Sequence, residues 1–186
     1  MAPHPTRAEL EAGLSEIRTS PADSGVVRAI VVRPEPGKRM ELESCDVSRA
    51  GGVHGDNWAL GCWKETGDGR PHPDVQIAIM NARAIDLIAG GRSNWAPAGD
   101  NLFIDLDLST ANLPAGQRLA LGSAIIEVTA EPHTGCQNFV KRYGRDATVF
   151  VNTGEGRTLR LRGIYARVIE DGRVSVGDIV HKIDRM

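Results

Sequence analysis

The segment Gly163-Ile164-Tyr165-Ala166-Arg167-Val168-Ile169-Glu170-Asp171-Gly172-Arg173-Val174-Ser175-Val176-Gly177-Asp178-Ile179-Val180-His181-Lys182-Ile183 decides the fold class. It contains three short runs, 163–169, 173–176 and 179–183, rich in β-branched residues and parted by Asp171-Gly172 and Gly177-Asp178. Such runs suit a pleated, half-buried surface. Asp-Gly is the dipeptide of a tight hairpin turn, because both central residues take positive φ there. The segment therefore reads as a hairpin across Asp171-Gly172 followed by one more strand.

The same texture extends upstream. Gln117–Leu121 and Ala124–Ala130 read as a hairpin across Gly122-Ser123, after a turn at Asn112-Leu113-Pro114-Ala115-Gly116. Leu102, Ile104 and Leu106 alternate with Phe103, Asp105 and Asp107, the period-two sign of a strand. Val75 to Met80 is a continuous apolar run, read as a buried strand. Asn81 then caps a helix that runs to about Ala89 and stops at Gly90-Gly91. Gly25 to Arg33 is the first strand, and Arg39 to Val47 returns as a second after Pro34-Glu35-Pro36-Gly37. Residues 5–19 form an amphipathic helix, with Thr6 and Glu9 as a capping box and Leu10, Leu14 and Ile17 at helical spacing. Eight or nine short strands against two or three helices predict a mainly β chain with α decorations, a closed or nearly closed β-barrel. A doubly wound sheet would need strands and helices to alternate throughout. The expected division is a helical arm and linker over 1–24 and a barrel domain over 25–186.

With 186 residues, 41% hydrophobic and 25% charged, the chain can bury a substantial core as one domain. A net charge of -2 gives no electrostatic basis for nucleic acid or an acidic membrane as partner. No signal segment and no apolar run of bilayer length are visible, so the expected location is cytoplasmic. Three cysteines, with no C-x-x-C pair, make neither a disulfide framework nor a zinc ribbon.

Candidate chemistry centres on Glu131-Pro132-His133-Thr134-Gly135-Cys136-Gln137-Asn138-Phe139. Thr134 and Gln137 have the capping-box spacing, which puts Cys136 in the first turn of a helix with Gly144 as its stop. Free backbone N–H groups and the positive end of the helix dipole favour a thiolate there, and His133 would help if its ring turned the same way. A thiolate is both a nucleophile and a soft metal ligand, so Cys136 is a catalytic and a metal-ligating candidate and His133 a catalytic one. The bland alternative is a small buried cysteine. The irregular stretch from Arg49 to Asp74 gathers His54, Asp56, Cys62, His72 and Asp74. A zinc site from these fits no standard ligand spacing, and loop surface is the plainer reading.

The pieces in order are Gly52-Val53-His54-Gly55-Asp56, Val75–Ala89, Gly99-Asp100-Asn101-Leu102, the Leu113–Leu119 turn, His133-Thr134-Gly135-Cys136, Arg162–Val168 and Val176-Gly177-Asp178. Together they resemble the MOSC domain, named for the C-terminal domain of molybdenum cofactor sulfurase, in its small standalone form, over roughly Gly25 to Ile183. The resemblance implies a MOSC-type β-barrel and a role with the molybdenum cofactor (molybdopterin), either carrying activated sulfur or ligating molybdenum. The matching cysteine is Cys136, thought to carry a persulfide in some members and to ligate molybdenum in others. Pyridoxal phosphate binding is implied only for the family at large. Asn101 and Thr134 fall where they could face a bound pterin. Its phosphate would want helix N-terminal amides and arginines, with Arg92, Arg142 and Arg145 as candidates. The implied partners are a cysteine desulfurase or a redox protein, and the N-terminal arm could pack on a second copy in a homodimer. The other activities to weigh are a molybdenum-dependent reductase of N-hydroxylated compounds with an external electron donor, and a non-enzymatic barrel binding a small ligand or partner.

Overall fold

The structure, a computed structural model, describes residues 4–183. Two short helices, α1 (Arg7–Ala12) and α2 (Leu14–Arg18), precede strand β1 (Gly25–Val32). Strands β2 (Met40–Leu42), β3 (Ser44–Ser48) and β4 (Gly52–Val53) follow, then β5 (Ile77–Asn81), helix α3 (Ala82–Ala89) and β6 (Leu102–Asp105). The remainder is β7 (Arg118–Leu121), β8 (Ala124–Val128), α4 (Gln137–Asn152), α5 (Gly154–Thr158), β9 (Ile164–Glu170), β10 (Gly172–Ser175) and β11 (Ile179–Ile183).

Seven strands close a barrel in the order β1-β6-β5-β9-β8-β7-β11 and back to β1, with β2 added outside the ring on β1. Closure rests on the antiparallel pairing of Gly25 with Val180 and Val26 with Ile179. Only β5 and β6 run parallel within the ring, and α3 supplies the long crossover that a parallel pair requires. Strands β10, β3 and β4 form a second, smaller sheet.

The expected hairpin across Asp171-Gly172 does not form. β9 pairs with β5 on one edge and β8 on the other, so β10 has no free edge of β9 to take. It pairs instead with β3. The β7–β8 hairpin does form, with Leu121 opposite Ala124. The expected strand from Arg39 to Val47 is split between β2 in the barrel sheet and β3 in the small sheet.

Side-chain alternation sorts the apolar residues into two layers. Val27, Ile30, Val32, Ile77, Ile79, Leu102 and Ile104 fill the barrel interior. Ala29, Val31, Met80 and Phe103 point outward into a layer shared with Ile85, Ile88, Phe139, Tyr143 and Phe150 of the helices. In β1 the inward positions change parity between Val27 and Ile30, because a bulge lies between Val27 and Ala29. Both faces of β1, β5 and β6 are thus buried, which is why they read as unbroken apolar runs.

The arm belongs to the outer layer. Its capping box forms between Thr6 and Glu9, and Leu10, Leu14 and Ile17 are buried. It is two helices rather than one, broken at Gly13, where a Cβ would sit 2.5 Å from the Leu87 side chain. Helices this short do not hold alone. Burying each of those side chains contributes about 1.5–3 kcal/mol and offsets the cost of ordering them. The outermost residues of the two expected spans, 1–3 and 184–186, lie outside the described residues. No helix among the described residues is long and apolar enough to cross a membrane.

Candidate functional site

Cys136 is the N-cap of α4, in extended conformation, and its side chain is exposed. Its carbonyl accepts the first bonds of the helix, from the N–H of Phe139 at 2.9 Å and of Val140 at 3.1 Å. The expected cap at Thr134 does not form, and the helix starts two residues later. The Gly135 N–H donates to Asn152 Oδ1 at 2.8 Å and Asn152 Nδ2 donates to the Gly135 carbonyl at 3.1 Å. That pair ties the chain before Cys136 to the far end of α4 and holds it out of helical geometry. Gly144, expected as the stop, has φ 87 and interrupts α4, which resumes to Asn152.

His133 turns away from the role of a helping cation. Its ring stacks against Tyr165, centroids 4.2 Å apart, and Nδ1 lies 3.5 Å from Asp100 Oδ1. Burial, then the charges of Arg162 and Arg33, hold its pKa well below the ordinary 6.5, so the ring is neutral and the Asp100 contact is not an ion pair. Gly163 makes room here: its φ is 113, and a Cβ would collide with the Ile79 carbonyl and press on His133 Nδ1. The unfolded chain takes up a proton near 6.5 and the folded one does not, so this residue's contribution to stability is lost as pH falls below that value. The urea midpoint is expected to drop between about pH 7 and 5 more steeply in the native sequence than in His133→Gln.

Asp100 is 0% exposed, and Arg162 Nη1 donates to both its oxygens at 3.0 and 2.8 Å. Burial pushes the carboxyl up against the pull of Arg162. The Arg162 guanidinium lies 4.9 Å from the centroid of the Phe139 ring in the first turn of α4. Arg33 forms a second pair with Asp56, at 2.7 and 2.9 Å, and also donates to the Gly99 carbonyl at 3.1 Å. Burial opposes ionisation of Asp56, but the Arg33 bonds and charge leave its pKa below the ordinary value.

Two further guanidinium groups meet at Gly99. A Cβ there would lie 3.4 Å from Arg39 Nη2 and 3.5 Å from Arg142 Nη1. Arg39 Nε is buried and has no hydrogen-bond partner. Burial, then repulsion from Arg142 and Arg33, lowers the Arg39 pKa. Four arginines (33, 39, 142 and 162) thus gather around two carboxylates, Asp56 and Asp100, and the surplus is positive. Arg142 is six residues beyond Cys136 on α4, about 9 Å along the axis. Arg39 Nη1 donates to the Lys38 carbonyl at 2.6 Å, and an anion seated over Gly99 would engage the remaining N–H groups of Arg39 and Arg142 and offset their mutual repulsion.

The loop residues weighed for zinc are separately engaged. His54 contacts Ser48 Oγ, His72 Nδ1 accepts from the Asp74 N–H, Asp56 binds Arg33, and Cys62 Sγ donates to the Lys64 carbonyl. Among the described residues no group of three or more His, Cys, Asp or Glu side chains could hold a metal ion.

A profile of the MOSC domain matches residues 69–181, more than half of the chain. The chain belongs to the MOSC domain family. Three solved structures share its fold. The YUAD protein from Bacillus subtilis is 18% identical with a TM-score of 0.58, covering 87% of this chain and 97% of that one. YiiM from Escherichia coli is 20% identical with a TM-score of 0.54, covering 88% and 70%. YiiM from Geobacillus stearothermophilus is 14% identical with a TM-score of 0.54, covering 87% and 76%. No curated protein matches the sequence.

In this MOSC domain the residues singled out in the sequence separate into two groups. Cys136 and Arg142 share α4, and Thr134 is exposed on the loop before it. Asn101 does not face a ligand: it is 0% exposed, its oxygen accepts from the Ala78 N–H at 3.1 Å, and its amide donates to the Val31 carbonyl at 3.3 Å. Arg92 is held by both oxygens of Glu41, at 3.1 and 2.7 Å, and lies over the Trp95 ring, so its charge is already matched. Arg145 is exposed beyond the Gly144 break. Sequence reasoning missed Arg33, Arg39, Asp100 and Arg162. Only Gly99-Asp100, a glycine and a buried carboxylate before a strand, carried a local signal.

Proposed function

We propose that this MOSC domain holds a molybdenum cofactor, with Cys136 as the metal's thiolate ligand and Arg39 and Arg142 as the anchor for the pterin phosphate. The observation that carries the reading is the exposed thiol at the start of α4 together with the two guanidinium groups at Gly99 on the flank of the same helix. The donors suit the group: sulfur is a soft ligand for the metal, and paired arginines match a phosphate dianion. When bound, the cofactor would supply a redox-active metal. Cys136 fixes the metal end, the arginines fix the anionic end, and Asp56 and Asp100 hold Arg33 and Arg162 in place beside them. Electrons would come from a redox partner protein. Three free cysteines suit a reducing compartment, and a cytoplasmic location is part of this proposal.

Protein co-expressed with the cofactor's synthesis genes is expected to carry molybdenum and pterin by elemental analysis and native mass spectrometry. Protein that lacks both, and instead gains labelled sulfur on Cys136 from a cysteine desulfurase, overturns ligation and assigns the thiol to sulfur carriage as a persulfide. Arg39→Gln and Arg142→Gln are each expected to weaken cofactor retention at least about tenfold, the effect of losing one charge-assisted hydrogen bond.

A further inference from the structure

The loop that carries Cys136 has a second face. Behind Glu131 to Gly135 lies a cleft of about 800 Å³, closed on its far side by the turn from Arg157 to Gly163. None of Arg33, Arg39 or Arg142 lines it. Its volume is in the range of small-molecule sites.

The charge of the walls is one-sided. Arg157 and Arg160 line the cleft, and neither has an acidic partner among the described residues. Arg160 Nη1 donates to the Leu113 carbonyl at 2.7 Å, which leaves other N–H groups of the fork unassigned. Burial lowers its pKa. The acid on the rim, Glu131, is bound by Lys64. The hydroxyls of Thr110, Thr134 and Thr158 add to the polar lining, which also includes Thr129, His133 and Asn152.

The backbone adds a separate indication. Arg160 has φ 51, in the left-handed region that glycine enters without strain and a long side chain does not. The turn would form more easily with glycine at 160. Arginine there puts a cationic side chain in the wall of the cleft, and backbone strain of this kind collects at ligand sites.

We propose that this cleft binds a phosphate monoester of sugar-phosphate size, its dianion held by Arg157 and Arg160 and its hydroxyl groups by the threonines. Forked guanidinium groups match phosphate oxygens in pairs. The site goes beyond the cofactor reading, because none of Cys136, Arg39 and Arg142 lines it.

The test titrates the full chain with ribose 5-phosphate, ribose and inorganic phosphate by calorimetry and amide NMR. Ribose 5-phosphate is expected to saturate a site whose shifts centre on Thr134 and Thr158, with ribose at least about tenfold weaker. Arg157→Gln alters an exposed side chain, and Arg160→Gly keeps the turn and relieves its strain, so both should fold. Each is expected to weaken the ester at least about tenfold, and Arg142→Gln to leave it unchanged. No saturable binding at millimolar ester, equal affinity for ribose, or loss in Arg142→Gln without loss in Arg160→Gly overturns the proposal.

Discussion

Replacing Cys136 with serine is expected to leave a folded protein that retains no molybdenum and accepts no sulfur. The thiol is exposed, makes no capping bond and contributes nothing to either core layer. Serine is a better N-cap than cysteine, so the helix should start as well or better, and the melting temperature should hold or rise by a few degrees at most. The chemistry is lost outright. An alcohol oxygen is a hard donor, a poor match for a metal that takes thiolate, and it forms no persulfide. Elemental analysis, intact mass and a thermal melt on the same preparation check this. Undiminished metal content in Cys136→Ser would remove the thiol from the site altogether.

Asp100→Ala is expected to cost about 3–5 kcal/mol of stability, the range for breaking a buried ion pair from one side. The variant strands the Arg162 guanidinium, whose Nε already lacks a partner, in a site it can leave only by pulling away from Phe139. Denaturation in urea should show a lower midpoint with an unchanged slope. The double variant Asp100→Leu with Arg162→Met should recover most of the loss, because it removes both charges and keeps the volume filled. A double variant as unstable as the single one would show that packing, not charge, was at stake. The two experiments separate the site into a part that reacts and a part that holds it still.

How much of this could be read from the chain depended on how local each cause was. The β7–β8 hairpin was legible because Leu121 and Ala124 meet across two residues. Asn81 was legible as a cap because its oxygen accepts from the Ala84 N–H three residues on. The Asp171-Gly172 turn carried an equally good local signal and misled, since what decides pairing is whether β9 has an edge to offer, and both were taken by strands far away in sequence. Thr134 failed as a cap for the same kind of reason: Asn152, eighteen residues on, holds Gly135 in place. Cys136 stood out through its neighbours and its family resemblance. The arginine cradle did not, because positions 33 and 39 flank the β1–β2 turn while Gly99 and Arg142 come to it from segments far along the chain. Asn101 and Arg92 had the right chemistry in the wrong place, one used by the backbone of β1 and β5 and the other by Glu41.

Gly25 pairs with Val180, 155 positions later, and that pairing is the seam of the barrel. During synthesis β1 leaves the ribosome long before its partner exists. Such distant pairing makes assembly slow compared with a bundle of local contacts. Until β11 arrives, β1 offers an open row of N–H and C=O groups on that side, the template on which one nascent molecule can capture a strand from another. The step most exposed to misassembly in this protein is therefore the last one, the moment before the ring shuts.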